Sequence, residues 1–482
     1  MKKVVAIDQS TSGTKVALMD ENARFLRCVV RKHAQFYPAA GYVEHDAEEI
    51  WQNTVAMLRD MTQDVDEIVC LGIANQRETT VLWERASGKP VHPAIVWQDV
   101  RAKALTDRLV AQAEAVRQKT GLQLSPYYSA AKAAAVLDEH PLLRQRAEAG
   151  ELCMGTIDSY LLYRLTAGRS FCTDVSNAAR TQLLNLHTLC WDDELLALFR
   201  IPRGMLADRV LPSDSLFGEI HCPELALSLP ITALMGDSNA SFFGHGCLRP
   251  GMAKSSYGTG SSLMMNIGTS AVLSQHGLST SVGFGCDGRI CYVLEGNITC
   301  SADTLSWLRD EVQLISDVSE IEPLASSVAG SQGVYLVPAF SGLGAPYFDE
   351  NARGLLFGMN RGTTRAHLLH AALASIAHQN TDILDAMKQD TGKAIAMLNA
   401  DGGGSVNATL MQLQSDLANC AVSVTAEKDL TLRGVGLMAG RRAGLYRALE
   451  PQAPAAIYQP RMPQEERARE RAGWADAVRR CR

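Results

Sequence analysis

The sequence KVVAIDQSTSGTKVALMD, residues 3–20, opens the chain with two apolar runs on either side of a polar turn. Residues 3–7 are typical of a buried strand, and residues 14–20 are typical of its antiparallel partner. The turn Gln9–Gly13 is rich in hydroxyl groups, and its backbone amides, with Lys15 nearby, are suited to holding phosphate oxygens. Turns of this composition are also common without any ligand. The opening hairpin therefore predicts a sheet that carries a candidate phosphate loop.

Strand-like and helix-like stretches alternate along the rest of the chain. Residues 47–63 have apolar side chains at helical spacing, and residues 67–74 and 231–235 are short apolar runs typical of buried strands. In the second half, helical spacing from Leu369 to Met387 precedes a strand-like run over 394–400. This alternation is typical of an α/β fold whose strands are covered on both faces.

A second hydroxyl-rich turn, Ser256–Ser262, echoes the first near the middle of the chain. Two such turns predict two related α/β domains that face each other, each contributing a phosphate loop. Chance similarity between two common turns remains the competing interpretation. We expect the domains to span residues 1–246 and 247–482, with the segment Gly244–Gly251 as the hinge.

Composition excludes several classes of protein. The chain has 482 residues, a formal net charge of -6, 46% hydrophobic and 20% charged residues, which is ordinary for a globular protein of more than one domain. The acidic balance gives no support for a nucleic-acid partner, and no apolar run is long enough for a membrane span. We expect a cytoplasmic protein whose 12 cysteines are reduced. The P-loop, dinucleotide-binding and zinc-protease motifs are missing.

Two carboxylates and one charged pair are the candidates for chemistry. Asp8 and Asp237 are each expected to end an apolar strand, where ligands of open α/β sheets bind, so each is suited to hold Mg²⁺ or to accept a proton. The alternative is that each only caps the next turn. Arg77 and Glu78 follow another strand and offer a donor fork beside an acceptor, which suits vicinal hydroxyls, unless they form a surface ion pair.

Six segments carry a resemblance to a known family. They are Gly41–Asp46, Asn75–Thr80, Ala94–Asp99, Gly155–Asp158, Trp191–Leu196 and Gly342–Tyr347. With them the chain resembles the FGGY carbohydrate kinases, and most closely their glycerol kinase branch, from Asp8 to about Trp474. The resemblance implies two actin-like (ribonuclease H-like) α/β domains around a central nucleotide and substrate cleft.

The activity that the resemblance implies is ATP-dependent phosphorylation of a terminal hydroxyl of a small polyol, with glycerol as the first expectation. ATP and Mg²⁺ would be required, the partner would be a small molecule, and assembly as a homo-oligomer is left open. Phosphoryl transfer needs little covalent help from a protein: it needs positioning, charge neutralisation and a base at the attacking hydroxyl.

Carried over residue by residue, the resemblance assigns a role to each candidate. Asp237 would be the general base and, with Asp8, a Mg²⁺ ligand. The polyol would be bound by Arg77, Glu78, Trp97, Tyr127, Asp237 and Ser238, the two aromatic residues being equally suited to the core. The nucleotide would be bound by Thr11, Ser12, Lys15, Thr259, Ala302, Ser306, Gly403 and Asn407.

Three serines depart from the family pattern. Ser238 and Ser306 stand where glycerol kinases carry glutamine, and Ser262 stands where they carry a bulky phenylalanine. The smaller side chains at Ser238 and Ser262 would enlarge the polyol pocket. A polyol or ketose of four or five carbons is therefore the alternative substrate. An actin-like or chaperone-like ATPase on the same fold is a further alternative, because a fold does not fix a function.

Overall fold

The computed structural model describes residues 1–225, 227–446 and 453–482. Its strands are β1 (Lys3–Ser10), β2 (Gly13–Met19), β3 (Phe25–Lys32), β4 (Glu44–His45), β5 (Ile68–Asn75), β6 (Thr80–Glu84), β7 (Ala94–Ile95), β8 (Leu152–Thr156), β9 (Cys172–Asp174), β10 (Leu184–Asn185), β11 (Cys190–Trp191), β12 (Arg209–Leu211), β13 (Gly218–Glu219), β14 (Pro230–Gly236), β15 (Met252–Tyr257), β16 (Ser261–Gly268), β17 (Ser279–Cys286), β18 (Arg289–Ile298), β19 (Tyr335–Val337), β20 (Leu355–Phe357), β21 (Met397–Asp401), β22 (Val422–Thr425) and β23 (Pro454–Tyr458).

The helices are α1 (Ala47–Thr62), α2 (Lys103–Arg108), α3 (Ala113–Thr120), α4 (Ser129–Glu139), α5 (Pro141–Glu148), α6 (Ile157–Leu165), α7 (Val175–Ala178), α8 (Asp193–Phe199), α9 (Asp237–Gly244), α10 (Asp303–Asp310), α11 (Ile321–Ala325), α12 (Arg365–Thr391), α13 (Ala408–Ala418), α14 (Leu430–Arg442) and α15 (Gln464–Cys481). Among the described residues, no helix is both long and apolar enough to cross a bilayer.

The first large sheet has six strands in the order β13-β14-β5-β1-β2-β3. Strands β1, β2 and β3 form an antiparallel meander, while β1 pairs parallel with β5 and β5 pairs parallel with β14. The central strands are buried on both faces, with α1 and α6 in one core cluster and α9 and α14 in another. The carboxyl ends of β1, β5 and β14 therefore meet at one edge, which carries the candidate site.

The second large sheet repeats this pairing pattern. Its order is β17-β18-β16-β15-β21-β22-β23, with β15 antiparallel to β16 and parallel to β21, and β21 parallel to β22. Strand β15 thus corresponds to β1, and β21 and β22 correspond to β5 and β14. The echo between the two hydroxyl-rich turns reflects a duplicated topology, and the predicted two-domain α/β fold class is confirmed.

Helix α14 links the two halves of the molecule. It follows β22 in the chain, yet it packs against α9 and against strands β1, β5 and β14 of the first sheet. The approach is close because the crossing is made by glycines: a Cβ at Gly434 would lie 1.8 Å from the carbonyl oxygen of Ala240. The division at residues 246 and 247 stays a prediction, and this helix shows that contacts of the second half extend onto the first sheet.

Candidate active site

The opening hairpin is tighter than the sequence indicates. Strand β1 runs on to Ser10, so only Thr11 and Ser12 form the turn, and Asp8 lies within the strand opposite Lys15. The expectation that Asp8 ends its strand is wrong, because pairing with β2 continues for two more residues. Asp8 is buried, and its Oδ1 has no hydrogen-bond partner among the described residues.

Lys15 is already paired in this structure. Its Nζ donates to Oδ1 of Asp429 at 2.6 Å, and both side chains are about one-third exposed. Asp429 immediately precedes α14, so the pair ties the first hairpin to a segment more than 400 residues later. The cation that the sequence offers to a phosphate therefore has a carboxylate partner.

Asp237 is the first residue of α9 and directly follows β14. The backbone N–H of Ser238 donates to its Oδ1 at 2.6 Å, and Nε of Arg77 lies 3.7 Å from the same oxygen. Burial in the cleft raises the pKa of Asp237, and the Arg77 guanidinium opposes that rise. A carboxylate whose pKa is raised towards neutrality is suited to accept a proton.

Arg77 and Glu78 are buried and bind different partners, so they do not form the surface ion pair that was the alternative. Both nitrogens of the Arg77 fork donate to Glu295, at 2.9 and 2.7 Å, while Glu78 accepts from Nε of Arg180 at 2.5 Å. Arg180 also donates to Glu295 at 3.3 Å. These four buried charges form a cluster, and the two arginines hold the pKa of Glu295 well below its usual range.

The two aromatic candidates lie together. The rings of Trp97 and Tyr127 are 5.8 Å apart in an edge-to-face arrangement. Nε1 of Trp97 donates to Oγ1 of Thr11 at 2.9 Å, which connects this aromatic wall to the first hairpin turn. Beneath it, the buried ammonium of Lys132 donates to the carbonyl oxygens of Pro126 and Tyr127 and so fixes the backbone at Tyr127.

A cavity of about 220 Å³ lies where the two halves meet. It is lined by Asp8, Lys15, Asp237, Ser238, Ser241, Lys254, Ser256, Asp401, Gly402, Lys428, Asp429, Leu430 and Thr431. Burial and the charge of Asp237 raise the pKa of Asp8 to about 7. A buried carboxylate beside a second carboxylate favours a bound cation or a proton. We call this space the transfer cavity.

A second cavity, of about 500 Å³, lies next to the same loops of the second half. Five of the residues assigned to the nucleotide line it: Thr259, Ala302, Ser306, Gly403 and Asn407. Its other walls include apolar side chains such as Leu305 and Ile376, which suit a flat aromatic base. Thr11 and Ser12 lie apart from it at the hairpin tip, and Lys15 lines the transfer cavity.

Four charged residues of the site were missed from sequence: Arg180, Lys254, Glu295 and Asp401. One signal was available, since Lys254 and Glu295 each interrupt an otherwise buried strand, and such charges are almost always paired or functional. Asp401 ends β21 and accepts from Nε2 of His245 at 2.6 Å, a pairing that the spacing of the histidines does not reveal.

Comparison with known proteins identifies the family of this chain. Residues 3–244 match the N-terminal domain and residues 253–443 match the C-terminal domain of the FGGY family of carbohydrate kinases. A glycerol kinase of Shewanella baltica (strain OS223) is 45% identical over 491 aligned positions, which cover 100% of this chain and 99% of that protein.

Solved structures of carbohydrate kinases share the fold of this chain over nearly its whole length. The crystal structure of Plasmodium falciparum glycerol kinase with ADP has a TM-score of 0.95 and 32% identity, covering 100% of this chain and 98% of that chain. A gluconate kinase from Lactobacillus acidophilus shares the fold, with a TM-score of 0.88 at 21% identity, over 99% of this chain and 96% of that chain. The chain therefore belongs to the FGGY family of carbohydrate kinases, which are phosphotransferases.

Proposed function

We propose that this protein transfers the γ-phosphoryl group of ATP to a terminal hydroxyl of glycerol. The observation that carries the proposal is the transfer cavity, where Asp237 and Asp8 lie beside the residues that line the larger second cavity. The relatives support glycerol as acceptor, since a glycerol kinase is 45% identical over the whole chain.

In this mechanism each residue has a separate task. Asp237 accepts the proton of the attacking hydroxyl, helped by the raised pKa of its carboxyl group. Arg77, fixed by Glu295, orients the neighbouring hydroxyls, and Trp97 and Tyr127 provide the wall for the carbon side of the polyol. The second cavity holds the adenosine part of ATP, with Gly403 and Asn407 at its polar side.

Asp8 and Asp237 are the residues that would hold Mg²⁺. They fit the ion because both are hard oxygen donors on one cavity and because the buried Oδ1 of Asp8 lacks a partner among the described residues. When bound, Mg²⁺ neutralises the negative charge on the transferring phosphoryl group.

A longer polyol or ketose, of four or five carbons, is the second candidate. Ser262 is paired in register with Ser256 on one side and Asn297 on the other, so the three side chains share one face of the sheet. Ser256 lines the transfer cavity, and the buried Oγ of Ser262 has no hydrogen-bond partner among the described residues. An unsatisfied hydroxyl on this face favours a substrate with an additional hydroxyl.

ADP release in the presence of a panel of acceptors tests both candidates. Glycerol, dihydroxyacetone, erythritol, ribitol, xylulose and ribulose are compared with a reaction that lacks acceptor and with one that lacks Mg²⁺. We expect release to need both an acceptor and Mg²⁺. Equal release without acceptor would replace the kinase proposal with an ATPase. A kcat/KM for glycerol more than about a hundredfold above every longer compound, or about 2.7 kcal/mol, would eliminate the longer-acceptor candidate.

A further inference from the structure

Lys254 is a fully buried cation on the sheet face that meets the first half of the molecule. It lies in β15, where it is opposite Met264, and Met264 is opposite Glu295, so Lys254 and Glu295 share that face. The side chain of Lys254 lines the transfer cavity together with Asp237 and Asp401. A lysine inside a buried strand is rare because desolvation of its ammonium group is costly.

The described residues give Lys254 no carboxylate within 4.0 Å. Its Nζ donates instead to the neutral hydroxyl of Ser256, at 2.9 Å. Asp401 is engaged by His245 at 2.6 Å. The other cation of the cavity, Lys15, differs because it is directly paired with Asp429.

Three carboxylates and one guanidinium group lie close enough to act on the charge of Lys254. Asp401, Glu295 and Asp237 favour its protonated form, whereas Arg77 opposes it. Burial outweighs these carboxylates and lowers the pKa of Lys254 below its usual range. An anion bound against the ammonium group would stabilise the charged form and offset the desolvation. A phosphoryl group entering the cavity supplies that anion.

We propose that Lys254 is a catalytic residue that contacts an oxygen of the γ-phosphoryl group of ATP, an inference that rests on the proposed kinase function. The acceptor hydroxyl oxygen forms a bond to the γ-phosphorus while the bond from that phosphorus to the bridging oxygen of ADP breaks. The hydroxyl proton passes to Asp237, and ADP leaves with the electron pair of the broken bond. Throughout this transfer Lys254 stays protonated and neutralises charge on the oxygens of the transferring group.

The test compares two nucleotides that differ at the γ-position. Lys254→Met removes the charge and keeps an unbranched side chain. The affinities are measured by calorimetric titration in the presence of Mg²⁺. We expect the Kd of the Lys254→Met protein for the β,γ-imido analogue of ATP to rise by about 10- to 100-fold, as for one lost charge-assisted hydrogen bond. The Kd for ADP should stay nearly unchanged. Lys393→Met is the matched control, since Lys393 Nζ donates to the carbonyl oxygen of Ile267 outside both cavities, and it should leave both affinities unchanged.

An equal loss of affinity for both nucleotides would overturn the proposal, because it would show that Lys254 only supports the loop at Asp401. Unchanged affinity for the analogue would overturn it as well. If Lys254→Met does not fold, Lys254→Arg, which keeps a cation, is compared with Lys254→Gln, which does not. The Kd for the analogue should stay near the wild-type value in Lys254→Arg and rise in Lys254→Gln, with the Kd for ADP nearly unchanged in both. The binding assay requires no turnover, so its result for Lys254 does not depend on the acceptor. A protein that phosphorylates no polyol would refute the proposed function, and the comparison of the two nucleotides would still decide the role of Lys254.

Discussion

Replacement of Glu295 by glutamine tests the charge cluster at the proposed polyol site. The carboxylate is 1% exposed, accepts two hydrogen bonds from Arg77 and one from Arg180, and also accepts from Nδ2 of Asn297 at 3.2 Å. Glu295→Gln keeps the shape of the side chain but leaves Arg180 with only Glu78, and Arg77 with only Asp237 at 3.7 Å, as a close carboxylate partner among the described residues. Removing one member of a buried ion pair typically costs about 3–5 kcal/mol, and we expect a loss of stability in this range.

The stability is measured by urea denaturation, with Asp287→Asn as the matched control. Asp287 pairs with Arg441 at the surface and is 59% exposed, so its loss should cost about 1 kcal/mol or less. Arg77 in Glu295→Gln should also lose its fixed orientation, which should raise KM for the polyol more than KM for ATP. A free energy of unfolding within about 1 kcal/mol of the control, together with an unchanged polyol KM, would refute the cluster as the support of Arg77.

Three further outcomes are expected. Asp237→Asn keeps the size of the side chain but cannot accept the proton, so turnover should fall by about 10²–10⁴-fold while calorimetric ADP binding survives; near-wild-type turnover in a folded variant would remove Asp237 from the mechanism. Trp97→Phe removes the hydrogen bond to Thr11 and keeps an aromatic wall, so KM for the polyol should rise while the melting temperature changes little; an unchanged KM would separate the wall from the hairpin turn. Burial and the charge of Asp174 raise the pKa of Asp158 to about 7, so its contribution to stability is present below about pH 4 and is lost as the pH rises through about 7. Asp158→Asn should therefore gain stability relative to the wild type between about pH 5 and pH 8 in thermal melts, and a difference that does not vary with pH would contradict this assignment.

Much of the fold follows from local pattern in the sequence. The helix predicted over 47–63 is α1, Ala47–Thr62, because its apolar positions fall on one face and Asp46 caps its first turn. The strand predicted over 67–74 is β5, Ile68–Asn75. The strand predicted over 394–400 is β21, Met397–Asp401, which begins three residues later. It begins at Met397 because pairing with β15 starts at that residue. Apolar character alone does not specify that partner.

The charge pairs of the candidate site could not be predicted from local sequence, because the two members of each pair lie far apart in the chain. Arg77 is followed by Glu78, yet its fork binds Glu295, 218 residues away. Lys15 pairs with Asp429, 414 residues away. Arg77 and Glu78 lie in the bend between β5 and β6, where Glu78 has a φ of 62°, and the two neighbouring side chains reach different partners. The topology brings these partners together, and the resemblance to the family indicated Arg77 and Lys15 but not the carboxylates that they bind.

The distribution of these residues between the two sheets has a chemical consequence. The second cavity is lined entirely by residues of the second half, from Tyr257 to Leu410, whereas Asp8 and Asp237 come from the first sheet and the helix that follows it. In the proposed mechanism, the donor and the base of the phosphoryl transfer therefore reside on different halves. The reacting atoms must meet in the transfer cavity, where Lys254 and Asp401 face Asp8 and Asp237. Relative positioning of the two sheets, held by α14 and by the buried Arg77–Glu295 pair, is thus part of the catalytic geometry that we propose.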